Sequence, residues 1–435
     1  MDYVQARDYD NLIGMRVFTT QSSGTGGCLR KTPEDFVVQE IGLDGSIAPL
    51  EVSDQPFPDQ SGKLTAFFLV KRNIDSIQAI RHLSRSVGAS YKRFSYAGMK
   101  DRRAVTSQRV SYRGPPQDLV GRDNPQYMIL YPHRVTKPIV PGALKGNRFT
   151  ILVRDVSLPA EDVKQRLSQI QNEIAKIGGV LNFFGPQRFG IMQPNTHRIG
   201  KELVLGNFEQ AIHILLDTND DVENDDEKAL IREHSPQGTY ERAITHFLNR
   251  HPGKFKESLK VLPKDLVRLY IHAYQSFLFN LTISERARQN IILREPIVGD
   301  YTIPISGEIH AVRPVTKENL NRVRQEVKNG TRQLVVPIIG MDFEHVPLEG
   351  EMGAIYHAVL ESEQITASHF RLKDLPAFSS RGTFRPLLVN PDNLQITVLE
   401  DESDTPFRIQ FDLSKGSYAS VILREIIKPE LSTQL

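Results

Sequence analysis

Cysteine is nearly missing from this chain. Cys28 stands alone, which excludes an intramolecular disulfide and any cysteine-built metal cluster. No HExxH string or His/Cys spacing offers another metal site, and His197 and His272 are isolated in the sequence. No run of about eighteen apolar residues occurs, so no membrane span is expected. The opening MDYVQARDYDN lacks the apolar stretch of a secretory signal. Together these absences point to an intracellular, cytoplasmic protein. The glycine-rich SSGTGG at Ser22 to Gly27 lacks the Gly-Lys-Ser/Thr ending of a phosphate loop, and no dinucleotide fingerprint follows it.

What is present fits a large globular protein. The 435 residues, 39% hydrophobic and 24% charged, exceed what one core usually serves, so two domains are expected. The net charge of +2 conceals an asymmetry. Between Lys71 and Arg113 eleven Lys or Arg stand against only Asp75 and Asp101, whereas Asp217 to Glu227 reads DTNDDVENDDE. The first stretch suits a polyanion and the second repels one, so the basic stretch is the side expected to face nucleic acid.

Periodicity places the main elements. Phe36, Val37, Val38 and Ile41 read as a short strand after the turn at Pro33, Leu64–Val70 as another, and Gln108–Tyr112 and Asn147–Val156 as two more. Ile74, Ile77, Ile80, Leu83 and Val87 predict a helix with Asn73 as N-cap and Gly88 beyond its end. Arg81 and Arg85 would form a basic ridge on its outer side. Tyr91, Phe94 and Tyr96, interleaved with Lys92 and Arg93, could stack bases or pack into a core. A helix follows Pro159 and ends at Gly178-Gly179, and a further amphipathic helix carries Leu266 to Leu281. Asp401–Pro406 reads as a polar turn, Phe407–Leu413 alternates as a half-buried strand, and a helix with Val421, Ile422 and Ile426 follows Gly416-Ser417.

The stretch AGMKDRRAVTSQ, Ala97 to Gln108, carries one carboxylate, Asp101, between Lys100 and the pair Arg102 and Arg103. Nearby cations favour its ionised form, which suits a nucleophile better than a general acid. Taken alone, the string also fits a surface turn with an ordinary ion pair. Its Ala97, Gly98, Lys100, Asp101, Ala104, Thr106 and Gln108 fill every fixed position of an A-G-x-K-D-x-x-A-x-T-x-Q signature. This resembles the TruD family of pseudouridine synthases. Five further blocks follow that family's order: TPEDFVVQEI from Thr32, GALKGNRF from Gly142, NFFGPQRFG from Asn182, AYQSFLFN from Ala273 and KGSYASVILREI from Lys415.

The resemblance implies an α+β fold. It comprises a pseudouridine synthase catalytic domain on a mixed, mainly antiparallel sheet flanked by helices, at residues 1–178 and 388–435. An inserted α/β TRUD domain occupies 179–387 and is closer in length to archaeal than to bacterial members. It implies a tRNA substrate, with uridine 13 of the D-arm as the leading target, a monomer, and no cofactor or metal. By the same resemblance Asp101 is the catalytic residue, and Phe36, Asn147, Phe149 and Tyr418 line the uridine pocket. Tyr418 stands where some relatives have Phe, and Arg30 falls near a basic position that is Lys in some, with Lys31 the lesser candidate. Arg188 would brace the cleft or contact RNA, and Arg424 would help to hold Asp101. The chemistry is sensible, because an amide reads the uracil imide edge and a ring holds an unstacked base. Two other classes compete. A non-catalytic RNA-binding protein would explain the basic stretch. A carboxylate-pair hydrolase would join Asp101 to Glu34 or Asp35 across a glycosidic bond.

Overall fold

The computed structural model describes residues 8–52, 61–190, 194–216, 239–305, 311–399 and 405–428. The acidic stretch Asp217–Glu227 and residues 401–404 of the C-terminal turn lie outside them. Two compact units are present: Ser22–Ala175 with Val389–Leu435, and Met1–Gln21 with Lys176–Leu388. The boundaries read from the sequence differ chiefly at the N-terminus. There, residues 13–19 hydrogen-bond within the second unit. Asn280 Nδ2 donates to the Ile13 carbonyl at 2.8 Å, Ser284 Oγ donates to the Gly14 carbonyl at 2.8 Å, and Leu181 N donates to Thr19 Oγ1 at 3.0 Å. Gly14 has φ +78°, and a Cβ there would lie 3.1 Å from the Phe277 carbonyl, so the close approach of chain and helix requires glycine.

The first unit is built on an eight-stranded sheet. Its strands include β1 (Phe36–Ile41), β2 (Leu64–Arg72), β3 (Phe94–Tyr96), β4 (Val105–Tyr112), β5 (Tyr127–Val135) and β6 (Gly146–Val153). Two later strands, Asp392–Val398 and Phe407–Ser414, extend it beyond β6, giving the order 392–398, 407–414, β6, β1, β4, β2, β5, with β3 on β4. β1 and β4 run parallel, and the other described pairs of this sheet are antiparallel. The sheet is therefore mixed and mainly antiparallel, and the α+β class expected from the sequence is the class found. Helix Ser76–Ser86 buries Ala79, Ile80 and Leu83 against Phe67 and Leu69 of β2 and Val110 of β4. Its N-cap is Asp75, whose Oδ1 accepts from Gln78 N at 2.8 Å, and not Asn73, which sits at φ 52° in the preceding turn.

In the second unit, helix Lys264–Arg288 buries residues on all sides, from Val267 to Ala287. It packs with Ile199, Leu203, Ile212 and Phe370 in one apolar core. A four-stranded sheet of Thr383–Pro386, Arg332–Ile338, Tyr301–Pro304 and Arg313–Pro314 completes the described strands of that sheet. Among the described residues no helix is long and apolar enough to cross a membrane.

Candidate active site

The parallel pairing of β1 with β4 creates the site. Val37 pairs with Val105 and Val38 with Thr106, so both strands begin at the same edge of the sheet, and the segments leading into them become neighbours. One such segment carries Arg30 and the other Asp101. Arg30 Nη2 lies 3.4 Å from Asp101 Oδ2, with side chains 19% and 32% exposed. The Arg30 guanidinium also lies over the Phe36 ring, 3.9 Å from its centroid. Burial lowers the pKa of Arg30, an effect that Asp101 opposes and Arg103 reinforces. Lys31 turns away, donating to Asp155 at 2.6 Å, so Arg30 is the basic residue at Asp101.

Strand register puts the expected pocket residues on one face. Cross-strand partners share a face, and so do residues two apart. β6 is antiparallel to β1, pairing Phe36 with Ile151, Val38 with Phe149 and Glu40 with Asn147. Phe36, Phe149 and Asn147 therefore lie on the same side as Thr106 of β4 and Lys71 of β2, which pair with each other. Phe36 meets Phe149 edge-on at 6.1 Å, and Phe149 stacks on Phe411 at 5.5 Å. At 2% and 7% exposure, Phe36 and Phe149 form the floor of this face. Asn147 Oδ1 is buried and has no hydrogen-bond partner. Tyr418 is the N-cap residue of helix Ala419–Ile427, four residues beyond Ser414, whose strand pairs with β6 at Gly146.

The loop carrying Asp101 is pinned from beneath. It leaves β3 where Tyr96 pairs with Val110 and crosses the face to re-enter the sheet at Val105. Gln108 Nε2 donates to the Gly98 carbonyl at 3.0 Å, and Gln108 Oε1 accepts from Ser76 Oγ at 2.9 Å. Ser76 Oγ in turn accepts from Lys100 N at 3.0 Å. Lys100 Nζ reaches the fully buried Glu40 at 2.9 Å. Lys71 Nζ donates to the Ile74 carbonyl at 2.8 Å and to the Asp101 carbonyl. Burial pushes the Lys71 ammonium down to about 8, with Asp101 and Asp75 opposing that shift and Lys100 adding to it. Glu40, Lys71 and Ser76 lie outside the signature string. Each is a polar residue beside an apolar strand or helix face, and only the register shows that all three serve one loop.

These contacts correct some expectations and decide between alternatives that the sequence left open. Lys100 pairs with Glu40, and Arg103 donates to the Arg30 carbonyl at 3.1 Å, so the cation at the Asp101 carboxylate is Arg30 and not a sequence neighbour. Arg424 is buried with its guanidinium 3.5 Å from Glu425, and the partner of Asp101 is Arg30. Asp35 caps Thr32 N at 2.9 Å and binds Arg154 at 2.9 Å, while the half-exposed Glu34 pairs with Arg72. Neither acid is placed as the second carboxylate of a hydrolase. Phe94 stacks on Tyr112 at 4.7 Å, and Tyr91 and Tyr96 share a 3.1 Å hydroxyl contact and pack against the same core. Of the basic stretch, Lys71 and Lys100 are buried, while Arg81, Arg85, Lys92 and Arg102 are exposed. In the second unit Arg188 donates to Ser276 Oγ at 3.1 Å, and His197 stacks on Phe277 at 4.6 Å.

With this geometry in view, the chain compares closely with known proteins. Residues 12–426 match the family described as tRNA pseudouridine synthase D (TruD). A protein of Methanococcoides burtonii named "Probable tRNA pseudouridine synthase D" is 31% identical, with 96% of this chain and 97% of that protein covered. One of Thermococcus gammatolerans with the same name is 32% identical, over 97% and 99%. A crystal structure from Methanosarcina mazei bearing the same family name superposes with a TM-score of 0.83 at 29% identity, covering 99% of this chain and all of that one. Fold and site together thus define a pseudouridine synthase. Within that class, the chain belongs to the TruD family.

Proposed function

We propose that this chain converts uridine to pseudouridine in tRNA, with uridine 13 of the D-arm as its target and Asp101 as the group that opens the glycosidic bond. The observation that carries the reading is the half-exposed Asp101 carboxylate, held by Arg30 on a loop pinned across the face that bears Phe36, Phe149 and Asn147. Buried acceptors are rarely left without a partner, and the bare Asn147 Oδ1 fits the N3–H of a uracil. A Cβ on Gly98 would meet nothing within 4 Å, so there is room above the loop.

The target nucleotide must leave the RNA stack to reach such a face. Asp101 then attacks C1′ or C6, or removes a proton from C2′; the bond it forms is broken again, or the proton it took is returned to C2′, before the product leaves. The N1–C1′ bond breaks, the uracil turns, and C5 bonds to C1′. C5 loses its proton and N1 gains one, so the product is an isomer and no electrons change hands. A carboxylate nucleophile has precedent in covalent catalysis. Phe36 and Phe149 form the floor, Tyr418 closes the pocket from the start of its helix, and Arg30 holds the Asp101 carboxylate by its hydrogen bond. The TruD name of the relatives supports tRNA as the substrate. The test is incubation with an unmodified tRNA transcript, followed by carbodiimide labelling and primer extension. A stop at position 13, unchanged RNA mass and no stop in a transcript carrying cytidine there are expected. A stop elsewhere overturns the position, a mass change indicates hydrolysis, and binding without product indicates a passive RNA-binding protein.

A further inference from the structure

We propose that Lys71 is a positioning residue for the reaction, acting as a clamp that fixes the Asp101 main chain over the sheet. The inference rests on the assignment of Asp101 as the reacting group. Lys71 lies in β2, 0% exposed, and its side chain is on the face crossed by the Asp101 loop. Its Nζ bridges two carbonyls, that of Ile74 in the turn before helix Ser76–Ser86 and that of Asp101 itself. A buried ammonium is costly unless its hydrogen bonds are made, so an apolar side chain would be the easier occupant for stability alone.

What the lysine supplies is reach and two donors. The Asp101 carbonyl points toward the sheet, where the β2 backbone is paired with β4 and β5 and has no donor to offer. A four-carbon stem crosses that gap. Burial brings the amine down to about 8, and the neutral amine still has two N–H groups for the two carbonyls, so the clamp holds in either protonation state. The other ties, Gln108 to Gly98 and Ser76 to Lys100, grip the loop on the side before Asp101. Lys71 alone of these side chains bonds the residue that carries the carboxylate. Without it, the Asp101 carbonyl would lose its partner and the carboxylate its fixed place. A shift of about 1 Å in a reacting group costs on the order of 100-fold in rate.

The experiment compares wild type, Lys71→Met, Lys71→Gln and Asp101→Asn on one tRNA transcript, measuring single-turnover rate per folded molecule, RNA dissociation constant and melting temperature. In Lys71→Met the rate is expected to fall on the order of 100-fold while RNA binding changes less than about threefold. Lys71→Gln, with two neutral donors on a shorter stem, should fall between that variant and wild type. If Lys71→Met does not fold, Lys71→Gln is read alone, and a rate at least about tenfold below wild type with binding kept supports the clamp. A rate within about threefold of wild type in the folded variants, whatever their melting temperatures, would show a purely structural lysine and overturn the proposal. Turnover by Asp101→Asn would instead remove the Asp101 assignment and, with it, the clamp role of Lys71, whatever the Lys71 variants show.

Discussion

Each unit of the molecule contains an arginine–aspartate pair beside other buried polar groups, and the two pairs are built to opposite ends. In the second unit, Arg286 and Asp300 meet at 2.7 Å with side chains 0% and 2% exposed. Described hydrogen bonds there tie both partners to the main chain: Asp300 Oδ2 accepts from Ile297 N at 2.9 Å, and Arg286 donates to the Glu295 carbonyl at 3.0 Å. Burial raises the Asp300 carboxyl, an effect that Arg286 opposes. In the first unit, Arg30 and Asp101 stand 3.4 Å apart and partly exposed, and the described hydrogen bond to the carboxylate reaches Oδ2. The loop under Asp101 is tied down through its main chain, by Lys71, Gln108 and Ser76, while the carboxylate stays partly open to solvent. A buried ion pair by itself marks architecture. A partly exposed acid on an immobilised loop marks a place where chemistry can occur.

The sharpest way to break this contrast is to remove one buried charge in each unit. Arg286→Met leaves Asp300 buried without its partner and should lower stability by about 3–5 kcal/mol in urea denaturation, with turnover per folded molecule unchanged. A large fall in that turnover would erase the distinction. Glu40→Gln removes the charge that Lys100 meets beneath the Asp101 loop. It should reduce stability by about 2 kcal/mol and, unlike Arg286→Met, also slow turnover of the folded protein.

Asn147→Ala probes the site side alone. Loss of the acceptor for the base should lower kcat/KM by roughly 10- to 100-fold, from about 1–3 kcal/mol of binding to a reading group. The melting temperature should hold or rise, since the Asn147 oxygen is unsatisfied in the free protein. The smallest effect concerns His197 in the second unit. Burial pushes this imidazole from 6.5 down to about 4, so the folded protein keeps it neutral while the unfolded chain takes up a proton first. Its share of stability is complete above pH 6.5 and is lost progressively toward pH 4. In His197→Phe the stability-versus-pH curve should be flatter in that window, and an unchanged slope would assign the acid sensitivity to other groups.

How much of this was legible in the sequence depended on distance along the chain. The signature around Asp101 is local, and so is the alternation that marks β1 and β6, whose observed limits agree with the expected ones within a few residues. The ties beneath the loop come from three other elements, and nothing in a sequence says that β1 lies parallel to β4. That pairing made Arg30 the partner of Asp101 in place of the adjacent cations. Local charge counting also overstated the phosphate-facing surface, because Lys71 and Lys100 lie inside. The 3.6-residue pattern at Leu266 to Leu281 captured only part of Lys264–Arg288, since a helix buried all round shows little periodicity.

The central claim is that the Asp101 carboxylate itself carries out the isomerisation. Its most direct measurement is pseudouridine formed per tRNA by Asp101→Asn in excess over substrate, beside the RNA dissociation constant of the same preparation. The account predicts binding within a few-fold of wild type and no pseudouridine after an incubation in which wild type converts all of its substrate. Accumulation of product by that variant at a rate approaching wild type would contradict it.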